Sequence, residues 1–330
     1  MTGRADIVIV GAGRMGRGLA HVFAYAGHPV TLIDLKERTP EEARQIVWYV
    51  LDDIRHSLNA IIAYGAMPDS ALNTVLGRIG MRARDRAAEA LAAADIVLEA
   101  VPETLDAKRD ALAFVSAHAR ADAIVASTTS TIMVEELAAM MTGPERFLNA
   151  HWLNPAFLIP LVEVSPGKAT APDVVDRVKA LLDSVGKVPV VCAPSPGYIV
   201  PRLQALVMNE AARLVEEGVA TAEEVDRATR FGLGFRFATI GVVEFIDWGG
   251  GDILYRADEY LSRALGTDRF AAPESVKRNM ETGAIGLKTG RGFHDYGERD
   301  VFAYQGETLQ RFLALLDHYG LLPPPADGGG

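Results

Sequence analysis

The stretch ADIVIVGAGRMGRGLAHVFAYAG, residues 5–27, constrains this chain more than any other. A short β-branched run feeds Gly11, Gly13 and Gly16, and apolar residues at helical spacing follow. The pattern G-x-G-x-x-G, with Met15 inside it, therefore lies between a strand and a helix. Gly11 permits a tight turn, Gly13 lets a pyrophosphate approach the backbone, and Gly16 allows close packing of helix on strand. The helix N-terminus adds free N–H donors and the positive end of a dipole. The next strand, PVTLIDL, reaches Asp34, whose carboxylate suits a ribose 2′-hydroxyl and repels a 2′-phosphate, which predicts NAD rather than NADP. Lys36 and Arg38 follow closely and offer charge to a phosphate, which weakens that preference.

Strand-like runs recur at ADIVLEAVPE and AIVASTTS, with helices expected near Leu105 and Ile132. This alternation predicts an α/β fold of Rossmann type, a doubly wound, mostly parallel sheet with ligands beyond the carboxyl ends of its strands. Those ends carry Glu103, the run Ser127 to Ser130, and His151. Residues 40–78 read as an inserted helical hairpin broken at Gly65 to Pro68. From Ser195 onward helical runs replace strand signals, which places a cofactor domain at 1–193 and an all-α domain at 194–330. At 330 residues and 49% hydrophobic content, the chain is long enough for both cores. The closing PPPADGGG reads as a disordered tail.

The run FLNAHWLNPAFLIPLVEV, residues 147–164, holds one histidine, His151, and one carboxylate, Glu163, on either side of a turn through Asn154, Pro155 and Pro160. Two strands joined by that turn bring the side chains together. A histidine held by a carboxylate accepts a proton near neutral pH. From these residues alone, a core histidine bonded to backbone beside an edge-strand glutamate remains open. Ser130 and Glu103 likewise read as a helix cap and a first-turn carboxylate as well as site residues.

Composition narrows the function classes. With 43 acidic against 33 basic residues the net charge is −10, which gives no reason to expect nucleic acid or an anionic membrane. No apolar run spans a bilayer and no signal-peptide core is seen, so a cytoplasmic protein is expected. The single cysteine, Cys192, excludes an internal disulfide and a cysteine metal cluster, and is expected to be buried. The expected partners are small molecules and a second copy of the chain.

Six motifs together with KTGRGFHDY at 288–296 resemble the 3-hydroxyacyl-CoA dehydrogenase family, in order from residue 5 to about 297. They are the glycine motif, EAVPETLDAK at 99–108, ASTTST at 126–131, PERFLNAHWLNP at 144–155, PLVEV at 160–164 and SPGYIV at 195–200. The resemblance implies an NAD-dependent oxidoreductase that forms a 3-oxo product from an L-3-hydroxyacyl group, without a metal. It implies that His151 and Glu163 are a catalytic dyad, that Ser130 and Asn154 touch the reacting oxygens or orient the dyad, and that Glu103 and Lys108 line the cofactor side. It also implies a homodimer built on the helical domain.

Two departures bear on the substrate. Thioester-using relatives carry Asn then Arg after SPGYIV, whereas this chain has Pro201 before Arg202, and proline supplies neither a side-chain donor nor an N–H. Arg236 lies between Phe235 and Phe237, similar to L-gulonate 3-dehydrogenase (lambda-crystallin) and L-carnitine dehydrogenase, which oxidise free 3-hydroxy acids. A guanidinium suits a bidentate carboxylate contact; bonding to helix-terminal carbonyls is the other reading. Residues 41–77 contain five acids against two arginines and no lysine, a poor surface for the phosphates of coenzyme A. Trp152, Phe235, Phe237 and Trp248 read either as aromatics that enclose an apolar or ring-bearing group or simply as core. A free 3-hydroxy acid is thus favoured over a coenzyme A thioester, and a non-catalytic crystallin-like or NAD-sensing protein is the alternative of another class.

Overall fold

The computed structural model describes residues 4–322, and the PPPADGGG segment lies outside the described residues. Two compact units divide at Met208/Asn209, within the helix Val200–Glu216. The first unit is built on eight strands: β1 (Ile7–Val10), β2 (Val30–Asp34), β3 (Ile79–Ala83), β4 (Ile96–Glu99), β5 (Ile124–Ser127), β6 (Phe147–Trp152), β7 (Leu161–Pro166) and β8 (Val188–Val191). Their order is β3-β2-β1-β4-β5-β6-β7-β8, and every neighbouring pair is parallel except β6 and β7.

Burial on both faces explains why the central strands read as unbroken apolar runs rather than alternating ones. Ile7 and Ile9 of β1 join one core with Leu19 and Phe23 of the helix Arg14–Tyr25, while Val8 and Val10 join a second core with Leu112 and Val115 of the helix Leu105–His118. The two sheet edges look different. β3 is half-exposed, and β8 contains Pro189, which lacks an N–H and is tolerated where a strand has a neighbour on one side only. The sequence reading did not anticipate β3, a short strand, or the helix Pro172–Ser184, although its buried Val174, Val178, Leu181 and Leu182 are spaced as one helical face.

The hairpin consists of the helix Pro40–Ala63, a break, and the short helix Leu72–Leu76. Thr39 starts it with a reciprocal capping box to Glu42, and Val50, Ile54 and Leu58, one helical face at four-residue spacing, are buried. Each such buried side chain contributes about 1.5 to 3 kcal/mol. The second unit is helical, with the helices Val242–Gly249, Gly251–Leu265, Glu274–Thr282 and Val301–His318 among its elements.

Candidate active site

The glycine turn does what its spacing predicts. Gly11 has φ +118°, and a Cβ there would lie 2.4 Å from the Ala100 carbonyl oxygen; a Cβ on Gly16 would lie 1.9 Å from the Gly11 oxygen. Open space surrounds Gly13, and the helix Arg14–Tyr25 that follows has no side-chain cap and no acid in its first turn. Its N–H groups are left for an anion. A cavity of about 540 Å³ opens there, lined in part by Gly11, Gly13, Asp34, Arg38, Val101 and Pro102. A dinucleotide's pyrophosphate fits the uncapped turn, and the acid at the end of β2 fits its ribose. Met15, inside the glycine motif, is partly buried and packs against the core that Ile7 and Ile9 join. Asp34 is buried and accepts a hydrogen bond from the Arg38 guanidinium, so the cation that competes for a phosphate is tied to the acid that disfavours it.

β6 and β7 pair with His151 directly opposite Glu163. The His151 Nδ1 lies 2.8 Å from Glu163 Oε2, and both residues are buried. The other carboxylate oxygen, Oε1, accepts the backbone N–H groups of Ile199 (2.9 Å) and Val200 (2.8 Å) at the start of the helix Val200–Glu216. These bonds to the helix end fix the orientation of the carboxylate. With Nδ1 facing an acceptor, the imidazole carries its proton there and leaves Nε2 as the basic nitrogen. Tyr198 stacks on the imidazole, ring centroids 4.9 Å apart and 6° between planes, and its hydroxyl donates to Thr129 O (2.9 Å) and accepts from Asn149 (3.0 Å). Burial raises the Tyr198 phenol well above its ordinary value, so it acts as a neutral wall. Pro201 is the second residue of the helix, where a missing N–H costs nothing.

Glu103 is neither a first-turn carboxylate nor idle. Its Oε1 accepts hydrogen bonds from Thr129 Oγ1 (2.5 Å), Ser130 N (2.9 Å) and Thr131 N (3.1 Å). Burial alone would raise its pKa, but the Thr129 bond, the Lys108 charge and the Thr131 bond outweigh it and lower the pKa to about 2. These bonds occupy the residues expected to open a helix, which begins instead at Val134 with Met133 as its uncapped start; Ser130 is not its cap. Lys108 is fully buried, its ammonium between Glu99 (3.0 Å) and Glu103 (3.2 Å). Glu99 was missed by the sequence reading, although a carboxylate ending the apolar strand IVLE was its signal. It also accepts from Ser127 Oγ (2.5 Å) and Val101 N (2.8 Å). Asn154 is exposed on the turn after β6, at the cis Asn154–Pro155 bond.

Trp152 is not a pocket residue: it is buried against Phe23 in the sheet core, ring centroids 5.9 Å apart. Cys192 is half-buried rather than buried, because it follows the edge strand β8. In the helical unit, Arg236 and Trp248 share a cavity of about 350 Å³, and the Arg236 guanidinium lies 4.4 Å from the Phe245 ring centroid. No helix among the described residues is long and apolar enough to cross a membrane.

Known proteins resemble the chain along most of its length. The profile of the 3-hydroxyacyl-CoA dehydrogenase NAD-binding domain matches residues 6–195, and that of the C-terminal domain of the same dehydrogenases matches residues 197–296. The chain is 32% identical over 311 residues to 5-formyl-3-hydroxy-2-methylpyridine 4-carboxylate 5-dehydrogenase of Mesorhizobium japonicum, covering 94% of this chain and 96% of that one. It is 30% identical over 294 residues to a probable 3-hydroxybutyryl-CoA dehydrogenase of Bacillus subtilis, covering 89% and 98%. A solved 3-hydroxyacyl-CoA dehydrogenase from Archaeoglobus fulgidus superposes with a TM-score of 0.74 at 32% identity, over 97% of this chain and 100% of that one. The cofactor of this chain is NAD, and the chain belongs to the 3-hydroxyacyl-CoA dehydrogenase family.

Proposed function

We propose that this protein oxidises the hydroxyl of an L-3-hydroxy acid to the 3-oxo acid, with a free carboxylate rather than a thioester on the substrate. The observation that carries the chemistry is the buried His151–Glu163 pair, whose carboxylate is saturated by the imidazole and two backbone N–H groups. His151 Nε2 takes the hydroxyl proton, and Glu163 holds the ring and stabilises the imidazolium that forms. Gly11, Gly13 and Asp34 hold the dinucleotide; its nicotinamide supplies the acceptor for the carbon-bound hydride. The Glu99–Lys108–Glu103 network fixes the 127–131 turn that carries Ser130, which with Asn154 orients the reacting oxygen.

Arg236 supports the free carboxylate. It is half-buried, and among the described residues its guanidinium has neither a carboxylate partner nor a carbonyl acceptor, which supports a role toward the substrate over one at a helix end. The Mesorhizobium relative is named for a ring-bearing free carboxylate, which points the same way. The thioester is the second reading, favoured by the name of the Bacillus relative.

Paired free 3-hydroxy acids and their coenzyme A thioesters, assayed with NAD, separate the two. Arg236→Met should raise KM for free acids by an amount corresponding to about 2 to 5 kcal/mol, with thioester turnover little changed. Wild-type turnover of thioesters far above every free acid defeats the carboxylate reading and leaves the ordinary acyl-CoA activity.

A further inference from the structure

The cavity around Arg236 is walled by Phe231, Phe235, Phe245, Trp248 and Phe312. None of these five rings is buried, and Phe231 is 46% exposed, whereas Phe23, Phe147 and Trp152 in the sheet core are almost fully covered. They are therefore not ordinary core aromatics. The guanidinium carbon lies over the Phe245 ring, and neither the Arg236 N–H groups nor the Trp248 indole N–H has an acceptor among the described residues. The backbone carbonyl of Arg236 is taken by Thr239 Oγ1 (2.8 Å), so the residue's main chain is satisfied while its side chain is not.

A permanent cation with unmatched donors, set among partly open rings, is complementary to a planar anion attached to a flat apolar body. At about 350 Å³ the space holds a single-ring acid. We propose that this cavity, formed within the helical unit, binds an aryl-bearing carboxylate. The ligand preference of the cavity is measured independently of the free-carboxylate reading above.

The test is a fluorescence titration of Trp248 in the Trp48→Phe protein, since Trp152 is buried in the sheet core and Trp48 is exposed. The probes are 3-phenylpropanoate and butanoate, neither of which can be oxidised at a 3-hydroxyl. Phenylpropanoate should bind at least about tenfold tighter than butanoate. Arg236→Met should weaken it by a further factor of about ten or more, Arg236→Lys by less, and Phe245→Leu should narrow the gap between the two probes. Equal affinity for both probes, or unchanged phenylpropanoate binding in an Arg236→Met protein of unaltered melting temperature, overturns the proposal. A Trp248 emission that follows protein concentration and ignores both probes overturns it too, and assigns the rings to contact with a second copy.

The titration stands apart from the assay of free acids against thioesters: turnover of thioesters alone sinks the free-carboxylate reading, and the phenylpropanoate titration still decides what the cavity binds.

Discussion

The imidazole of His151, the proposed base, is held by three other groups that leave its Nε2 for the substrate proton. Glu163 holds Nδ1, the N–H groups of Ile199 and Val200 hold Glu163, and Tyr198 covers the ring. Replacing His151 by Ala should lower kcat by about 10²-fold to 10⁴-fold with NAD affinity nearly unchanged, as read by turnover and by cofactor titration. Near-normal turnover in that protein would falsify the proposed mechanism. A second residue-scale prediction concerns Asp34. Because Arg38 is bonded to it, Asp34→Ala both deletes the ribose acceptor and releases a cation. The NADP/NAD preference should rise in Asp34→Ala and fall back when Arg38→Ala is added. An unchanged ratio in the single variant means that Asp34 does not read the ribose.

At the scale of elements, the turn between β6 and β7 is held from beneath by the helix Arg14–Tyr25 and by the buried Lys187. Lys187 Nζ donates to Ala156 O (2.6 Å) and Ile159 O (2.9 Å), and the His21 ring stacks on Phe157 with centroids 4.6 Å apart while its Nδ1 meets Ser57 Oγ at 2.7 Å. Burial first, and the Lys187 charge second, lower the His21 pKa from 6.5 to about 4. The unfolded chain therefore binds more protons than the folded one as pH falls from 6.5 towards 4, and stability present above 6.5 is lost across that window. The loss amounts to about 3 kcal/mol once both forms are titrated. His21→Phe, which keeps the stack, should flatten the fall of melting temperature between pH 6.5 and 4. Glu103, with its pKa near 2, contributes stability above 4.5 that is lost only in more acid solution, so a fall below pH 4 should survive the substitution. Parallel melting curves for both proteins between pH 6.5 and 4 count against His21 as the acid-sensitive group.

For the whole molecule, the helix Val200–Glu216 is the outlier: seventeen residues long, it has no buried side chain. Leu206 and Met208 on it are 63% and 67% exposed, and Ile253 and Tyr260 on the helix Gly251–Leu265 are similarly open. Apolar side chains at this exposure contribute little to the core of a single chain and much to an interface. A second copy of the chain is the proposed cover. Light scattering should give twice the chain mass, and Leu206→Glu combined with Met208→Glu should shift it towards the monomer and lower the melting temperature in a concentration-dependent way. A monomeric wild type at micromolar concentration rules this out.

What the sequence determined by itself was local: the glycine turn, because a φ of +118° and a carbonyl 2.4 Å from the place of a Cβ admit no other residue, and the sheet core, because fully buried parallel strands must be apolar throughout. The meeting of His151 with Glu163 was also legible, since a single proline-bounded turn separates them and strand pairing does the rest. Charged partners at long separation were not. Burial demands that Glu99, Lys108, Glu163 and Lys187 be satisfied, but it does not say by what. Only the folded chain placed Lys108 between two carboxylates, gave Glu163 the N–H groups of residues 36 and 37 positions away, and put Trp152 in the core. Only the fold left the Arg236 guanidinium over an aromatic ring and without a hydrogen-bond acceptor among the described residues. Periodicity and dihedral demands act within a turn of chain, whereas the partner of a buried charge depends on which distant segments the sheet and helices bring to the same place.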